Sequence, residues 1–309
     1  MARLTPTHWH ILGAGSIGCL WAYYLAKAGH HITLICKNTE QANALRQATP
    51  LILKKNNHEY KAARIEINCI EHIPEDRIDN LLICLKAHQT ENAILAIKPS
   101  VSRQATLVLM QNGMGNQQLL EAVFPDCAIY AALTTEAACK YDTLSVEHTG
   151  QGVTQIGTTG KQIDDNILQK LHCELPVEEN QNIETTLWQK LVINCCINPL
   201  TVIYHCKNGE LANNPEALET IKDIINECRA ITCAIGNDSA LQNIDIIVND
   251  VINKTARNTS SMLQDVQQHR STEINYINGF ISQLGENLGI PTPVNDHLVA
   301  TIKSGDRYV

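Results

Sequence analysis

A glycine-rich turn between two short apolar segments constrains the fold of this chain more than any other feature. The segment WHIL (9–12) is typical of a β-strand and runs into GAGSIG (13–18), which opens the helical segment CLWAYYLAKAG; a second strand pattern, HITLIC (31–36), follows at once. Gly29, at the end of the helical segment, is a common helix stop. Strand, turn, helix and strand in this order begin a doubly wound parallel sheet, so we predict an α/β fold.

The spacing of the glycines indicates what this unit binds. Gly13, Gly15 and Gly18 form G-x-G-x-x-G, in which the first glycine permits the tight turn and the second lets the backbone approach a pyrophosphate. The third allows close packing of helix on strand, and the N–H groups at the helix N-terminus attract negative charge. We therefore predict a dinucleotide site formed by Gly13, Ala14, Gly15, Ser16, Ile17 and Gly18.

The residue after the second strand bears on the choice between NAD and NADP. An acidic residue there is typical of NAD enzymes because it binds the ribose hydroxyls, whereas a basic residue suits the 2′-phosphate of NADP. Lys37 stands at this point. The sequence therefore predicts NADPH as the cofactor, and a solvated surface lysine is the alternative.

Later strand patterns place further polar residues at strand ends. IDNLLICLKA (78–87) ends at Lys86, and ATLVLMQNGMG (105–115) ends in a glycine loop that contains Asn112. Consecutive parallel strands end at one edge of a sheet, where such sheets bind ligands. We expect Gly13, Lys86 and Asn112 to converge there, the last two as cofactor contacts.

Two more segments complete the predicted sheet. AIYAALTTEAA (128–138) is expected to extend it, and LSVEHTGQGVTQIG (144–157) is predicted as an antiparallel hairpin at its edge. From about residue 182 long helical periods replace the strand patterns, including one continuous helix over 260–289. A chain of 309 residues exceeds one ordinary hydrophobic core. We predict a Rossmann-type NADP-binding domain over 1–181 and an all-α substrate and catalytic domain over 182–309.

A narrow polar row crosses the apolar helical segment LWQKLVINCCINPLT (187–201). Lys190, Asn194 and Asn198 recur every four residues and share one helix face with Thr201. The row is either a thin solvent edge or the lining of an internal cleft. Ketone reduction builds negative charge on the carbonyl oxygen, which a lysine ammonium can stabilise and protonate. Lys190 is thus a candidate proton donor, with a lysine that extends to solvent as the alternative.

A second row of polar residues recurs every four positions in the predicted helix 260–289: Ser261, Asp265, His269 and Glu273. Two such rows in one domain can face each other across a cleft. The alternative is that the second row consists of solvent-exposed residues without a role in a site. Glu273 is placed to orient the ammonium of Lys190 or to hold a ribose, and Ser261 to bind a substrate carboxylate. We expect His269 to be a bystander.

Charge and composition exclude several classes of function. The net charge is −8 with scattered basic residues, which argues against a nucleic-acid partner. No apolar run approaches the roughly 18 residues of a membrane span, and the N-terminal stretch has no secretory pattern, so we expect a cytoplasmic protein without a membrane partner. The twelve cysteines lack CxxC spacing. We predict buried free thiols, with Cys195 and Cys196 in the core and no metal.

Six motifs together resemble the ketopantoate reductase (2-dehydropantoate 2-reductase) family, in order from about residue 9 to 303: GAGSIG, LKAHQT, QNGMG, LWQKLVINCCINPLT, NGEL and SSMLQDVQQHRSTEINYINGF. The resemblance implies an NADP-dependent oxidoreductase that reduces 2-dehydropantoate to (R)-pantoate for pantothenate and coenzyme A biosynthesis. It also implies a Rossmann domain and a helical domain with the active site between them.

The resemblance assigns roles to individual residues. It makes Lys190 the proton donor, with Glu273 in both the active site and the cofactor site. Substrate contacts carried over are Asn194, Asn198, Asn208, Ser261 and Asn112, and further cofactor contacts are Lys86, Asn112 and Ala138. The family often has arginine at the position of Lys37, so the loss of the bidentate guanidinium is expected to weaken the preference for NADPH.

Two alternatives stay open at this point. One is a related NAD(P)-dependent reductase of another small 2-keto acid. The other is a non-enzymatic dinucleotide-binding sensor, which would need the glycine turn but not Lys190 and Glu273. A small 2-keto acid is the expected partner both for a ketopantoate reductase and for a related reductase. The sequence does not decide whether the chain forms a homo-oligomer.

Overall fold

The computed structural model describes residues 5–62 and 65–305, which divide into two units. The first comprises the described residues up to Gln111 together with Asn116–Ile183. The second comprises Asn112–Gly115 and the described residues from Glu184 onward. The outer limits of the two predicted domains, residues 1 and 309, lie outside the described residues.

The described part of the first unit is built from short strands and five α-helices. Its strands, among the described residues, are β1 (His8–Leu12), β2 (His31–Cys36), β3 (Ile52–Lys55), β4 (His58–Lys61), β5 (Glu66–Cys69), β6 (Ile78–Ile83), β7 (Val101–Leu109), β8 (Ala128–Thr134), β9 (Ala137–Asp142), β10 (Ser145–Gly150), β11 (Thr154–Thr158) and β12 (Val177–Glu179). Its helices are α1 (Ser16–Lys27), α2 (Thr39–Gln47), α3 (Ala87–Ile97), α4 (Asn116–Val123) and α5 (Ile167–Lys170).

The described part of the second unit contains helices joined by turns and loops, and no strand. Its helices are α6 (Ile183–Ile203), which starts on the last residue of the first unit, α7 (Pro215–Ala234), α8 (Ile244–Lys254), α9 (Ser261–Gln267), α10 (Asn278–Leu288) and α11 (Pro293–Ser304). Short 3₁₀ helices in the two units cover Ile70–His72, Lys98–Ser100, Asn208–Asn213, Asp238–Leu241 and Ile274–Tyr276. No helix within the described ranges is long and apolar enough to cross a membrane.

The large sheet of the first unit confirms the predicted fold class. Its strand order is β12-β11-β8-β7-β6-β1-β2-β5, and the run from β8 to β5 is parallel throughout. Numbered along the chain, these six strands have the order 3-2-1-4-5-6 of a Rossmann sheet. The two strands and the turn predicted at the start of the chain correspond to β1, the glycine turn and β2.

Helix α1 explains why CLWAYYLAKAG is apolar on every side. It contacts β1 and β2 of the large sheet and also β3, β9 and β10 of a second sheet, which has the order β4-β3-β10-β9. All nine residues from Gly18 to Ala26 are buried. A helix that is apolar all round is stable only when it is covered on all sides, and the second sheet supplies that cover.

The predicted hairpin over 144–157 is wrong. Strand β10 pairs with β9 and β3 in the second sheet, whereas β11 pairs antiparallel with β8 in the large sheet. The turn between them is held instead by Thr135, whose N–H donates to the Val153 carbonyl at 3.0 Å. The predicted strand 128–138 likewise divides into β8 and the start of β9. Covering the buried face of α1 outweighs local pairing of the two strands.

A proline and an asparagine connect α6 to the rest of the helical unit. Pro199 lies inside α6 and has no N–H, so the carbonyl of Cys195, four residues earlier, lacks its usual helical donor. The Asn278 side-chain amide donates to that carbonyl at 3.2 Å and to Asn295 Oδ1 at 2.9 Å. Asn278 is fully buried, so this bond ties α10 to the interior of α6.

The continuous helix predicted over 260–289 is also wrong. Helix α9 ends at Gln267, and His269 takes a left-handed conformation with φ 53°. The Arg270 N–H bonds to the Asp265 carbonyl at 2.8 Å, and the guanidinium forms an ion pair with the buried Asp265 carboxylate. This turn gives the Asp265 carbonyl near the helix end a hydrogen-bond donor and the buried Asp265 carboxylate an ion-pair partner. Because the helix ends here, the residues of the second polar row do not share one helix face.

Candidate active site

The glycine turn of the first unit leaves one stretch of backbone open. Gly13 has φ 110°, and a Cβ there would lie 2.9 Å from the carbonyl oxygen of Cys84. A Cβ on Gly18 would overlap the carbonyl oxygen of Gly13, so α1 packs directly on the turn. At Gly15, by contrast, no atom lies within 4 Å of the place where a Cβ would be. The turn is therefore tight on its protein side and open at Gly15.

The start of α1 suits an anion. Gly15 is the N-cap and has no side chain to accept from the first N–H groups of the helix. The first backbone bond runs from the Cys19 N–H to the Gly15 carbonyl at 2.9 Å. Ser16 and Ile17 lie half-buried in this first turn. Their N–H groups belong to the set that an α-helix leaves without an internal acceptor, which is the arrangement that binds phosphate.

The other predicted cofactor residues of the first unit follow strand ends. In the sheet register Leu12 pairs with Ile83 and Ile83 with Leu109, so β1, β6 and β7 end side by side. Lys86 follows β6 as the N-cap of α3 and is half-buried. Lys37 follows β2 and is exposed. The structure thus places Gly13 and Lys86 just beyond neighbouring strand ends.

Sequence reasoning missed Lys140, which contacts the glycine turn. Its Nζ donates to the Ala14 carbonyl at 2.9 Å, and its backbone N–H donates to Ser16 Oγ at 3.1 Å. It lies on β9 two residues after Ala138, which is half-buried. The predicted strand stopped at Ala138 and was assigned to the large sheet, so nothing in the local pattern indicated that this segment crosses to α1.

In the second unit the polar row of α6 is not a solvent edge. Lys190 and Asn194 are half-buried, Asn198 is 6% exposed, and Thr201 is fully buried. The Thr201 hydroxyl donates to the Asn198 carbonyl at 2.8 Å and lies 2.7 Å from the Ser260 hydroxyl. None of the four polar residues is exposed, so the row is not the solvent edge that the sequence left open.

Lys190 has the electrostatics of a proton donor. Burial lowers its pKa from 10.5 to about 8, and the nearby Glu273 carboxylate opposes this by favouring the charged ammonium. Glu273 is itself buried, and its Oε2 accepts from the Asn112 side-chain amide at 3.3 Å. Lys190, Glu273 and Asn112 therefore form one group, although the helical periodicity that first linked Glu273 to the site does not exist.

The segment Asn112–Gly115 belongs to the helical unit because its backbone packs closely on Tyr276. Gly113 has φ 81°, and a Cβ there would overlap the carbonyl oxygen of Tyr276. The Met114 N–H donates to the same carbonyl at 3.1 Å. Tyr276 follows Glu273 by one 3₁₀ turn, so this close backbone approach holds Asn112 beside the carboxylate.

Asn208 and Ser261 occupy two neighbouring parts of the helical unit. Asn208 is buried; its amide donates to Thr255 Oγ1 at 2.9 Å, and its Oδ1 is buried without a hydrogen-bond partner among the described residues. Ser261 is exposed in the first turn of α9. The residue that caps α9 and contacts Thr201 is Ser260, whose Oγ accepts from the Leu263 N–H at 3.0 Å. Ser261 therefore directly follows the residue that contacts Thr201, the last polar residue of the α6 row.

Seven of the twelve cysteines are buried as predicted, whereas Cys84, Cys173 and Cys206 are half-buried. All twelve are free, and Cys195 and Cys196 are fully buried. Burial raises the pKa of both thiols well above the ordinary value, so they are packing residues. Cys139 and Cys233 are exposed, which contradicts the expectation of buried thiols for those two.

An α/β unit with this strand order and glycine turn, joined to a helical unit, defines a class: dinucleotide-binding proteins with a Rossmann-type fold. Comparison with known proteins identifies the family. The model described as ketopantoate reductase PanE/ApbA matches residues 9–161, and the model of the C-terminal part of ketopantoate reductase PanE/ApbA matches residues 182–305. The chain belongs to the ketopantoate reductase family, as the sequence motifs predicted.

Relatives and solved structures agree with this assignment. The 2-dehydropantoate 2-reductase of Vibrio cholerae serotype O1 is 35% identical over 299 residues, which cover 95% of this chain and 96% of that protein. The crystal structure of a PanE/ApbA family ketopantoate reductase from Ralstonia eutropha JMP134 is 28% identical, with a TM-score of 0.84 over 96% of this chain and 97% of that chain. The ternary structure of D-mandelate dehydrogenase with NADH and anilino(oxo)acetate, 24% identical, has a TM-score of 0.87 over 96% and 97% of the two chains and shows the shared fold.

Proposed function

We propose that this chain catalyses the NADPH-dependent reduction of 2-dehydropantoate to (R)-pantoate in pantothenate and coenzyme A biosynthesis. The observation that carries the proposal is the half-buried Lys190, in a polar row of α6 beside Glu273, with its pKa lowered to about 8. Relatives named 2-dehydropantoate 2-reductase that match nearly the whole chain support the choice of substrate.

The first unit fits a dinucleotide, and we assign it the cofactor. The opening at Gly15 and the N-terminus of α1 suit a diphosphate. Gly13, Ala14, Ser16, Ile17 and Gly18 form the rest of the turn, Lys37 is assigned to the 2′-phosphate, and Lys86 and Ala138 are further contacts. When bound, NADPH supplies a hydride to C2 of the keto acid.

Lys190 supplies the proton. As C2 gains a hydride, the keto oxygen becomes an alkoxide in character, and the ammonium of Lys190 both stabilises this charge and transfers a proton to the oxygen. The lysine is left as a neutral amine and regains its proton from solvent. A pKa near 8 makes the ammonium a stronger acid than an ordinary lysine while keeping it mostly protonated at neutral pH. Glu273 keeps the ammonium form populated and, in this proposal, also contacts the cofactor.

The remaining polar groups of the second unit are assigned to the substrate. Asn194 and Asn198 continue the row beyond Lys190 and donate hydrogen bonds without adding charge. Asn208 has a buried oxygen with no protein partner among the described residues, which suits a substrate hydroxyl as donor. Ser261 is assigned to the substrate carboxylate. Asn112, bonded to Glu273, is assigned to both ligands.

The test is NADPH oxidation by the purified chain with 2-dehydropantoate, repeated with NADH. Two further keto acids serve as controls: 2-oxoisovalerate, which lacks the hydroxymethyl group, and phenylglyoxylate, which is aromatic. We expect the highest kcat/KM for 2-dehydropantoate, and a higher kcat/KM for NADPH than for NADH because Lys37 places a cation after β2.

Each alternative has its own outcome in this experiment. A higher kcat/KM for another keto acid would make the chain a reductase of that substrate. Tight NADPH binding without turnover of any keto acid would make it a dinucleotide sensor. Equal kcat/KM for NADH and NADPH would remove the role assigned to Lys37.

A further inference from the structure

Lys140 brings a full positive charge to the glycine turn. Its ammonium donates to the Ala14 carbonyl, in the middle of the first G-x-G, and its backbone N–H donates to the Ser16 hydroxyl oxygen. An ammonium has three N–H donors, of which Ala14 takes one. Ser16 accepts from Lys140, so its own O–H remains a donor. The turn therefore gains two side-chain donors that the glycine motif does not include.

The place of Lys140 is fixed by the strand that carries it. In the β9–β10 ladder Lys140 pairs with Val146, which is fully buried, and Ala138 pairs with His148. The His148 imidazole is 2.6 Å from the Glu136 carboxylate, just before β9, and 3.0 Å from the Tyr24 hydroxyl on α1. The paired strands β9 and β10 thus contact α1 near both of its ends, β9 through the Lys140 N–H at Ser16 and β10 through His148 at Tyr24, which keeps Lys140 beside the turn.

No carboxylate in the described part of the chain pairs with Lys140. Other lysines of the first unit do have such partners: Lys27 pairs with Glu174 and Lys170 with Asp164. The charge of Lys140 is instead presented to the turn and to the first helical residues, where it lowers the pKa of Cys19 against the opposing effect of burial. The N-terminus of α1 adds a partial positive charge at the same place.

The diphosphate of a dinucleotide carries two negative charges, which the N-terminus of α1 attracts. The glycine turn supplies N–H groups, and Lys37 and Lys86 follow other strands. Lys140 is the lysine whose ammonium is bonded to the turn. We propose that Lys140 binds the diphosphate of the dinucleotide cofactor and holds the glycine turn in its binding conformation. This assignment rests on the proposed use of a dinucleotide.

The experiment compares Lys140→Met and Lys140→Arg with Lys61→Met, an exposed lysine on β4 of the same sheet. Binding is measured by calorimetry on the full chain with three ligands: NADPH, 2′-phospho-ADP-ribose and adenosine 2′-monophosphate. The second and third share the adenosine 2′-phosphate, but only the second has a diphosphate. For Lys140→Met we expect Kd to rise about tenfold or more for NADPH and 2′-phospho-ADP-ribose, with little change for adenosine 2′-monophosphate.

Two further readouts separate a charge contact from a purely structural role. Lys140→Arg keeps the cation and should bind NADPH within about threefold of the unmodified chain. The salt dependence of NADPH binding should be shallower in Lys140→Met because one charge contact is lost. Lys61→Met should match the unmodified chain with all three ligands.

Either of two results would overturn the assignment: unchanged NADPH affinity in Lys140→Met, or an equal loss for ligands with and without the diphosphate. An unmodified chain that binds NADPH but does not reduce 2-dehydropantoate would remove the proposed substrate and leave this binding test intact. An unmodified chain that binds none of the three ligands would overturn both.

Discussion

The glycine turn of the first unit and the polar row of α6 in the second build their candidate sites from opposite materials. At the turn the useful groups are backbone N–H groups, and the glycines matter for the side chains they lack: Gly18 packs on Gly13, and Gly15 is open. In α6 the useful groups are the side chains of Lys190, Asn194 and Asn198. The first site depends on close backbone packing, the second on the placement and protonation of individual polar groups.

This difference decides how each site is encoded. The backbone site occupies six consecutive residues, so a short motif describes most of it. The side-chain site draws Asn112, Lys190 and Glu273 from three separate parts of the chain. We therefore expect substitutions in the row to affect chemistry with little effect on cofactor binding. Substitutions in the turn should affect folding and cofactor binding.

The largest expected effect is that of Lys190→Ala. Removal of the proposed proton donor should lower kcat by about 10³-fold, within the range usual for general acid catalysis, while the Kd for NADPH stays near that of the unmodified chain. Steady-state kinetics and calorimetric NADPH binding measure the two quantities. Lys222→Ala, on the exposed face of α7, is the matched control. A kcat within a few-fold of normal would show that Lys190 is not the proton donor.

The next largest effect concerns the tight side of the glycine turn. In Gly18→Ala the new methyl group would meet the backbone of Gly13, which has no flexible end to move aside. The free energy of unfolding should fall by about 1–3 kcal/mol, as for other overpacked sites, and NADPH affinity should fall with it. Denaturant unfolding and calorimetry measure both.

Gly15→Ala is the control for that experiment, since nothing lies within 4 Å of the added methyl group. Its unfolding free energy should stay within about 0.5 kcal/mol of normal, while NADPH affinity falls because the methyl group enters the open side of the turn. Equal loss of stability in the two variants would contradict the division into a packed side and an open side.

The rate of the unmodified chain should also depend on pH. In the proposed mechanism the ammonium of Lys190 donates the proton, so kcat should be constant below its pKa and fall as pH rises through about 8, by about tenfold per unit above it. An ordinary lysine would give this fall only above about pH 10. The measurement is kcat between pH 6 and 10 with both substrates saturating.

A second variant locates the source of that pH dependence. Glu273 raises the pKa of Lys190, so Glu273→Gln should move the fall in kcat to lower pH. A profile that is flat to pH 9.5 in the unmodified chain, or one that Glu273→Gln leaves in place, would argue against this pair as the titrating group.

Local pattern was sufficient where neighbours in sequence are also neighbours in space. The strands β1 and β2, the glycine turn between them and the polar row of α6 were all predicted from short windows. Sequence reasoning failed over 144–157, where β10 leaves the large sheet to cover α1, and over 260–289, where Arg270 closes α9 on Asp265. In both places a contact with another element, or a charge pair, outweighed periodicity.

Glu273 was connected to Lys190 through a helical repeat that the structure does not contain. What brings it to the site is the 3₁₀ turn ending at Tyr276, against which the backbone of Gly113 packs. The motif resemblance also assigned Glu273 to the site of Lys190, and the structure places the two residues close together for a different physical reason. Lys140 had no motif and no periodicity, so only the structure revealed it.

The sequence by itself determined the class of fold, the glycine turn and the family, because each of these depends on residue types at fixed spacings along one segment. The tertiary structure decided which groups come together: Lys140 with the turn, Asn112 with Glu273, and the low pKa of Lys190. These depend on contacts between distant segments and on burial, and neither is encoded in the spacing of neighbouring residues.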